Sequence, residues 1–112
     1  MARVGTGRES GVPAFDLAEV QRAFRSGRFR VTGRVERHLY GAGLSKRIIR
    51  DCVSAMGAGS FHKSQELRDS ACSWADIYRP YWSGDRWYVK FALDERGGGF
   101  RVLTFCRDGE DH

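Results

Sequence analysis

Cysteine is scarce and odd in number in this chain. Cys52, Cys72 and Cys106 form no Cys-x-x-Cys pair, and no histidine sits at metal-ligand spacing from them. That argues against a disulfide framework and a structural zinc, and for a reducing compartment. No apolar run approaches the roughly eighteen residues that a membrane span needs, and the N-terminus lacks the apolar core of a signal peptide. A cytoplasmic protein with no membrane partner is expected. No Ser/His/Asp or Cys/His arrangement is legible from spacing, and no glycine-rich loop carries a lysine at Walker spacing. Lysine is rare as well: sixteen of the nineteen cations are arginine, which with fourteen glycines fits the codon bias of a GC-rich bacterial genome.

What remains is an ordinary globular composition. With 112 residues, 41% apolar and 29% charged, the chain is one domain able to bury a two-layer core. Acidic residues are sparse in the first half: residues 1–50 hold eleven Lys/Arg against four Asp/Glu, and residues 51–112 hold eight against ten. A basic half attracts RNA or an acidic partner protein. Residues 1–13, rich in glycine and without periodicity, read as a mobile arm, 14–107 as the folded domain and 108–112 as a tail.

Three helices are predicted. Asp16 and Glu19 resemble a capping box ahead of the stripe Leu17, Val20 and Phe24, with Gly27 as the stop. Thr32 caps a second helix through Val35 and Leu39 to Gly41. Ser45 caps a third, where Ile48, Ile49, Cys52, Val53 and Met56 share one face, Arg47 pairs with Asp51, and Gly57 supplies the C′ residue. Cys52 is then a small core residue.

Beyond Gly59 the pattern becomes extended. Trp87, Val89, Phe91 and Leu93 alternate with Arg86, Tyr88, Lys90 and Ala92, the period of a strand with one face buried. Asp94–Gly99 reads as a turn and Phe100–Cys106 as the returning strand. The expected fold is α+β in two layers, an antiparallel sheet with the N-terminal helices on one face. Tyr88 and Lys90 then look out from the other face. Pairing Leu93 with Phe100 sets Arg101 and Arg107 on the side of Tyr88, whereas a slip of one residue puts Cys106 there.

The segment Trp74–Lys90 interleaves aromatic rings that can stack on bases with cations that can hold phosphate, the pairing that single-stranded RNA recognition calls for. Phe61-His62-Lys63-Ser64 adds an imidazole and an ammonium. Metal-free RNA cleavage uses the ribose 2′-hydroxyl as nucleophile, so an enzyme must take that proton, neutralise the phosphorane-like transition state and protonate the leaving oxygen. His62, with an ordinary pKa near 6.5, suits proton transfer, although it can instead stack on a base or cap the strand. Lys63 suits a phosphate clamp, or is a solvated strand charge. Tyr88 can donate its phenolic proton or present a stacking surface. Arg79 can make a bidentate phosphate contact, or pair with Asp76 and hold its own loop. Gln65, Lys90 and Arg101 are further candidate RNA contacts. Trp74, Tyr78 and Trp87 fit packing better than base platforms. His38 and His112 receive no role.

The order of these pieces resembles the MqsR-type toxins of bacterial toxin–antitoxin systems, whose fold is similar to that of the RelE toxins. The likeness covers Phe15–Arg107. It rests on Phe61-His62-Lys63-Ser64, Trp74-Ala75-Asp76-Ile77-Tyr78-Arg79-Pro80, Tyr88-Val89-Lys90 and the final strand through Thr104-Phe105, with a weaker echo from Ser26-Gly27-Arg28 through Thr32. It implies a messenger-RNA interferase that cuts single-stranded mRNA, needs no metal or other cofactor, and is neutralised by a cognate antitoxin. It places Lys63 and Tyr88 on the family's active-site lysine and tyrosine, and His62 where a tyrosine is usual. Ala75 replaces a family glutamine, and Cys106 replaces a basic residue for which Arg107 can substitute. The alternative is a catalytically degenerate relative, an RNA- or antitoxin-binding module.

Overall fold

The computed structural model describes residues 8–68 and 73–110, so Cys72, His112 and most of the N-terminal arm lie outside the described residues. Among the described residues there are three α-helices, α1 (Leu17–Arg25), α2 (Gly33–Gly41) and α3 (Lys46–Ala55). The strands are β1 (Glu9–Ser10), β2 (Phe29–Val31), β3 (Phe61–Glu66), β4 (Trp74–Tyr78), β5 (Tyr81–Trp82), β6 (Asp85–Leu93) and β7 (Phe100–Arg107).

The helices begin where side-chain oxygens satisfy their first amides. Asp16 accepts from the Glu19 N–H, Thr32 from Val35 and Ser45 from Arg47. Such caps each contribute about 1 kcal/mol. Helix α1 ends in a Schellman turn: Gly27 takes φ +79°, and the amides of Gly27 and Arg28 return to the carbonyls of Phe24 and Ala23. Helix α2 repeats it two residues later than the sequence suggested, because Gly43, at φ +72°, is the left-handed residue, while Gly41 remains helical. Helix α3 ends differently. Gly57 is extended, with φ −108°, and the terminal carbonyls of Val53 and Met56 accept from the Gln21 side-chain amide of α1 at 3.1 and 2.7 Å. Asp51 pairs with Arg50 and not with Arg47, since both head groups lie at the surface where such pairs are weak.

The sheet runs β1-β3-β4-β6-β7-β2, with β5 folded back on β6. All pairs are antiparallel except β2 with β7, which is parallel. The α1–α2 connection therefore adds an edge strand that the sequence pattern had not marked. The β5–β6 turn is Ser83-Gly84, both residues with positive φ, as a two-residue hairpin requires. Gly99 is obligatory for packing: at φ +79° a Cβ would overlap the Arg28 carbonyl, whose oxygen accepts from the Phe100 N–H.

The helices cover one face, as expected of the two-layer, RelE-like arrangement. Cross-strand partners share a face, so the triplets Tyr78–Val89–Phe105 and Asp76–Phe91–Val102 turn together toward the helices. Phe24 stacks on Phe29 at 4.6 Å and meets Phe91 and Phe100 edge-on or stacked. Cys52 is fully buried among them, and burial pushes its thiol up to about 12. Leu93 departs from the alternation expected for it. It is 53% exposed, at the end of β6 where the chain enters the turn to β7. Asp76, fully buried, accepts from the amides of Ala14 and Phe15 at 2.9 and 3.0 Å and so ties the entry of α1 to the central strand.

Glu9 and Ser10, within the stretch read as an arm, pair antiparallel with Gln65 and Ser64. Two residues carry no periodicity, so nothing in their pattern marks a strand. Arg8 extends the edge by gripping Glu66 and lying over Trp74 at 5.7 Å from the ring centroid.

Candidate functional site

Among the described residues the helices lie on one face of the sheet, and the register defines what the other face displays. One row across the strands is Lys63–Ile77–Lys90–Thr104; the next is Glu9–Gln65–Ala75–Ala92–Arg101. Two residues along β6 in the other direction, Tyr88 stands opposite Cys106. Ile77, Ala75 and Ala92 are buried beneath the longer side chains, so the floor is apolar and the rim charged.

Two bulges set the details. The β6–β7 pairing starts with Leu93 opposite Phe100, as expected, but Leu103 is an extra residue between Lys90 and Phe91. The shift moves Cys106 opposite Tyr88 and Arg107 opposite Trp87. Arg107 therefore does not join Tyr88. Its guanidinium lies over the Trp87 ring at 5.0 Å and bonds Asp85 at 3.1 Å. The second bulge, at His62, lies between the pairs Phe61–Tyr78 and Lys63–Ile77. It turns His62 out of the ladder toward a cleft of about 400 Å³ that Gly59, Ser60, Phe61, Arg79 and Arg86 also line.

A chain of polar contacts crosses the face. Glu9 accepts from Lys63 Nζ at 2.8 Å and, more weakly, from the Gln65 amide at 3.5 Å. Gln65 in turn accepts from Lys90 Nζ at 2.9 Å. Arg79 bonds Asp108 through two nitrogens, at 2.8 and 2.7 Å, so its carboxylate partner is Asp108. Asp76 is engaged on the opposite side of the sheet.

The titration shifts map which charges meet. Burial raises the Tyr88 phenol; Lys63 and Arg79 oppose that, while Cys106 and Asp108 reinforce it. Burial lowers His62, and Arg79 and Lys63 lower it further against Asp108 and Glu9. The phenol and the imidazole thus share Lys63, Arg79 and Asp108. Lys90 is lowered by burial, by Lys63 and by Arg34. These are the fields of one cationic site. Tyr78 and Trp87 are buried in the core, at 1% and 4% exposure, and are not available as base platforms.

The family model described as "Motility quorum-sensing regulator, toxin of MqsA" matches residues 12–107. The chain belongs to this family. As an MqsR-type protein it is a toxin of a toxin–antitoxin system, and an antitoxin is its implied partner. No curated protein sequence matches the chain significantly. The matched span of this toxin holds His62, Lys63, Arg79, Tyr88 and Lys90; Glu9 and Asp108 fall outside it.

Arg101 lies on the same face of the toxin but at its far end. There it lines a smaller hollow of about 210 Å³ with Leu67, Ser73, Ala92 and the turn residues Asp94–Arg96. Ala92 lies four steps along β6 from Tyr88, about 13 Å at the usual rise. Among the described residues no three His, Cys, Asp or Glu side chains are grouped so as to hold a metal ion. No helix among them is long and apolar enough to cross a membrane.

Sequence reasoning missed Glu9 and Asp108. Both lie at the ends of the domain, and only the folded sheet brings them beside the residues of the motif.

Proposed function

We propose that this toxin is an endoribonuclease that cleaves single-stranded mRNA by attack of the ribose 2′-hydroxyl, with the open sheet face as its RNA platform. The observation that carries the reading is the convergence of Lys63, Arg79, Tyr88 and His62 on that face, with Lys90 in the adjoining row. The resemblance to messenger-RNA interferases supports the same reaction.

The roles follow from the chemistry of each group. Lys63 and Arg79 supply the positive charge that neutralises what builds on the phosphoryl oxygens. When RNA binds, phosphate joins Glu9 at Lys63 and Asp108 at Arg79, because an ammonium and a guanidinium each carry several donors. Tyr88, with its phenol held protonated, donates a hydrogen bond to a phosphoryl or leaving oxygen. His62 carries a proton to or from the reacting atoms. Lys90 and Gln65 extend the platform toward Arg101 and contact the neighbouring backbone or base edges. The apolar floor of Ala75, Ile77 and Ala92 lets a ribose approach closely. Arg107, engaged by Trp87 and Asp85, takes no part.

A binding module that has lost cleavage is the second reading. What favours it is the Leu103 bulge, which stands Cys106, and no basic residue, opposite Tyr88, together with the absence of a functional side chain at Ala75. Expression without a partner separates the two. Growth arrest by the wild type, relieved in Lys63→Ala and in Tyr88→Phe, supports the nuclease; equal growth of wild type and variants supports the binding module.

A further inference from the structure

Two proton transfers must occur on opposite sides of the phosphorus in an in-line displacement, and one imidazole does not fill both places at once. Tyr88, raised by burial, is no base at neutral pH. Lys63 is a cation. A second proton carrier is required, and the open face holds one that lies beyond the family match.

We propose that Glu9 is the general base of RNA cleavage. This rests on the ribonuclease reading above. The register Glu9–Gln65 puts the carboxylate on the open face, and Glu9 Oε2 lies 2.8 Å from Lys63 Nζ, the ammonium proposed to hold the scissile phosphate. A 2′-hydroxyl lies next to its own 3′-phosphate, so a carboxylate touching the phosphate clamp is within reach of that hydroxyl. Glu9 is about half exposed, 51% for its side chain, and needs no rearrangement to meet substrate. The other carboxylate near the site, Asp108, is gripped by two nitrogens of Arg79 and is 13% exposed. Glu66 is held by Arg8, and Asp76 faces the helices.

In the free protein Lys63 holds the Glu9 carboxyl below its usual range, mainly through the hydrogen bond, with Gln65 and His62 adding to the effect. A phosphodiester anion between Lys63 and Arg79 offsets both cations and moves Glu9 and His62 upward together. Glu9 becomes a better base, and more of His62 carries the proton it has to deliver, when substrate is in place. The carboxylate takes the 2′-hydroxyl proton, the 2′-oxygen forms a bond to phosphorus, and the bond from phosphorus to the 5′-oxygen breaks. The imidazolium of His62 protonates that oxygen. The products are a 2′,3′-cyclic phosphate and a 5′-hydroxyl, and solvent restores both protonation states.

Glu9→Gln keeps the strand pairing and a hydrogen-bond acceptor for Lys63. Cleavage of a single-stranded transcript at saturating protein is expected to slow by roughly 10²–10⁴-fold, with RNA affinity unchanged or tighter and an unaltered circular dichroism spectrum. A matched RNA with sulfur in place of the leaving 5′-oxygen needs no acid, so it restores cleavage by His62→Ala and leaves Glu9→Gln slow. A Glu9→Gln protein that cuts as fast as an active wild type, or faster, overturns the assignment, as does rescue of Glu9→Gln by the sulfur substrate. A wild type that leaves both RNAs intact overturns the nuclease reading itself, and this inference with it.

Discussion

Asp76 lies in the most distinctive block of the sequence, yet its work in the structure is mechanical. Its two carboxylate oxygens accept from the amides of Ala14 and Phe15 at 2.9 and 3.0 Å, and its side chain is fully buried. Hydrogen bonds to a charged group contribute about 1.5–3 kcal/mol each. Asp76→Ala removes both and leaves two amides without partners. Because Ala14 is exposed, water restores part of the loss, so a net destabilisation of about 2–4 kcal/mol is expected. Asp76→Asn keeps one acceptor and turns an NH₂ toward the second amide, so it should cost at least half as much. At about 4–8 °C per kcal/mol for a domain near this size, Asp76→Ala lowers Tm by roughly 10–25 °C. Urea unfolding followed by tryptophan fluorescence gives ΔG directly. An Asp76→Ala protein within about 0.5 kcal/mol of wild type, inside the ordinary range for surface changes, refutes the reasoning.

Three other outcomes follow from the same packing. Phe91, fully buried against Phe24, Tyr78 and Phe100, should cost about 3–5 kcal/mol on truncation to alanine, read by the same unfolding assay. Gly99→Ala adds a Cβ onto the Arg28 carbonyl at a positive φ and should lose more than about 1 kcal/mol; an unchanged midpoint contradicts the close approach. Hydrogen bonds from Arg30, aided by the Arg96 and Gly97 amides against burial, hold the Asp94 carboxyl down to about 2. Its unfolded value is near 3.9, so the contribution is complete above about pH 4 and is lost as pH falls toward 2. Asp94→Asn should flatten that part of the stability–pH curve, and an identical curve contradicts the pair.

The helical layer was legible because each helix announces itself locally: Asp16, Thr32 and Ser45 are caps that act within three residues, and the apolar stripes follow the helical period. Strand β6 was legible for the same reason, through alternation over Trp87, Val89 and Phe91. What stayed hidden depends on partners distant in sequence. Gln21 capping α3, the parallel edge made by Phe29–Val31, and Asp108 on Arg79 are contacts across the fold, with no local signature. The Leu103 bulge decides whether Cys106 or Arg107 meets Tyr88, and a bulge is a compromise between two strands that neither strand's pattern reveals. For the site, the residue types His62, Lys63, Arg79 and Tyr88 could be chosen from the sequence, whereas the acids that share their field could not.

The most direct test of the open face as a ribonuclease site uses purified protein, single-stranded RNA and excess chelator. Wild type is expected to produce fragments with 2′,3′-cyclic phosphate and 5′-hydroxyl ends, and Lys63→Ala to leave the RNA intact. Intact RNA with wild type, or equal fragmentation by wild type and Lys63→Ala, would contradict the account.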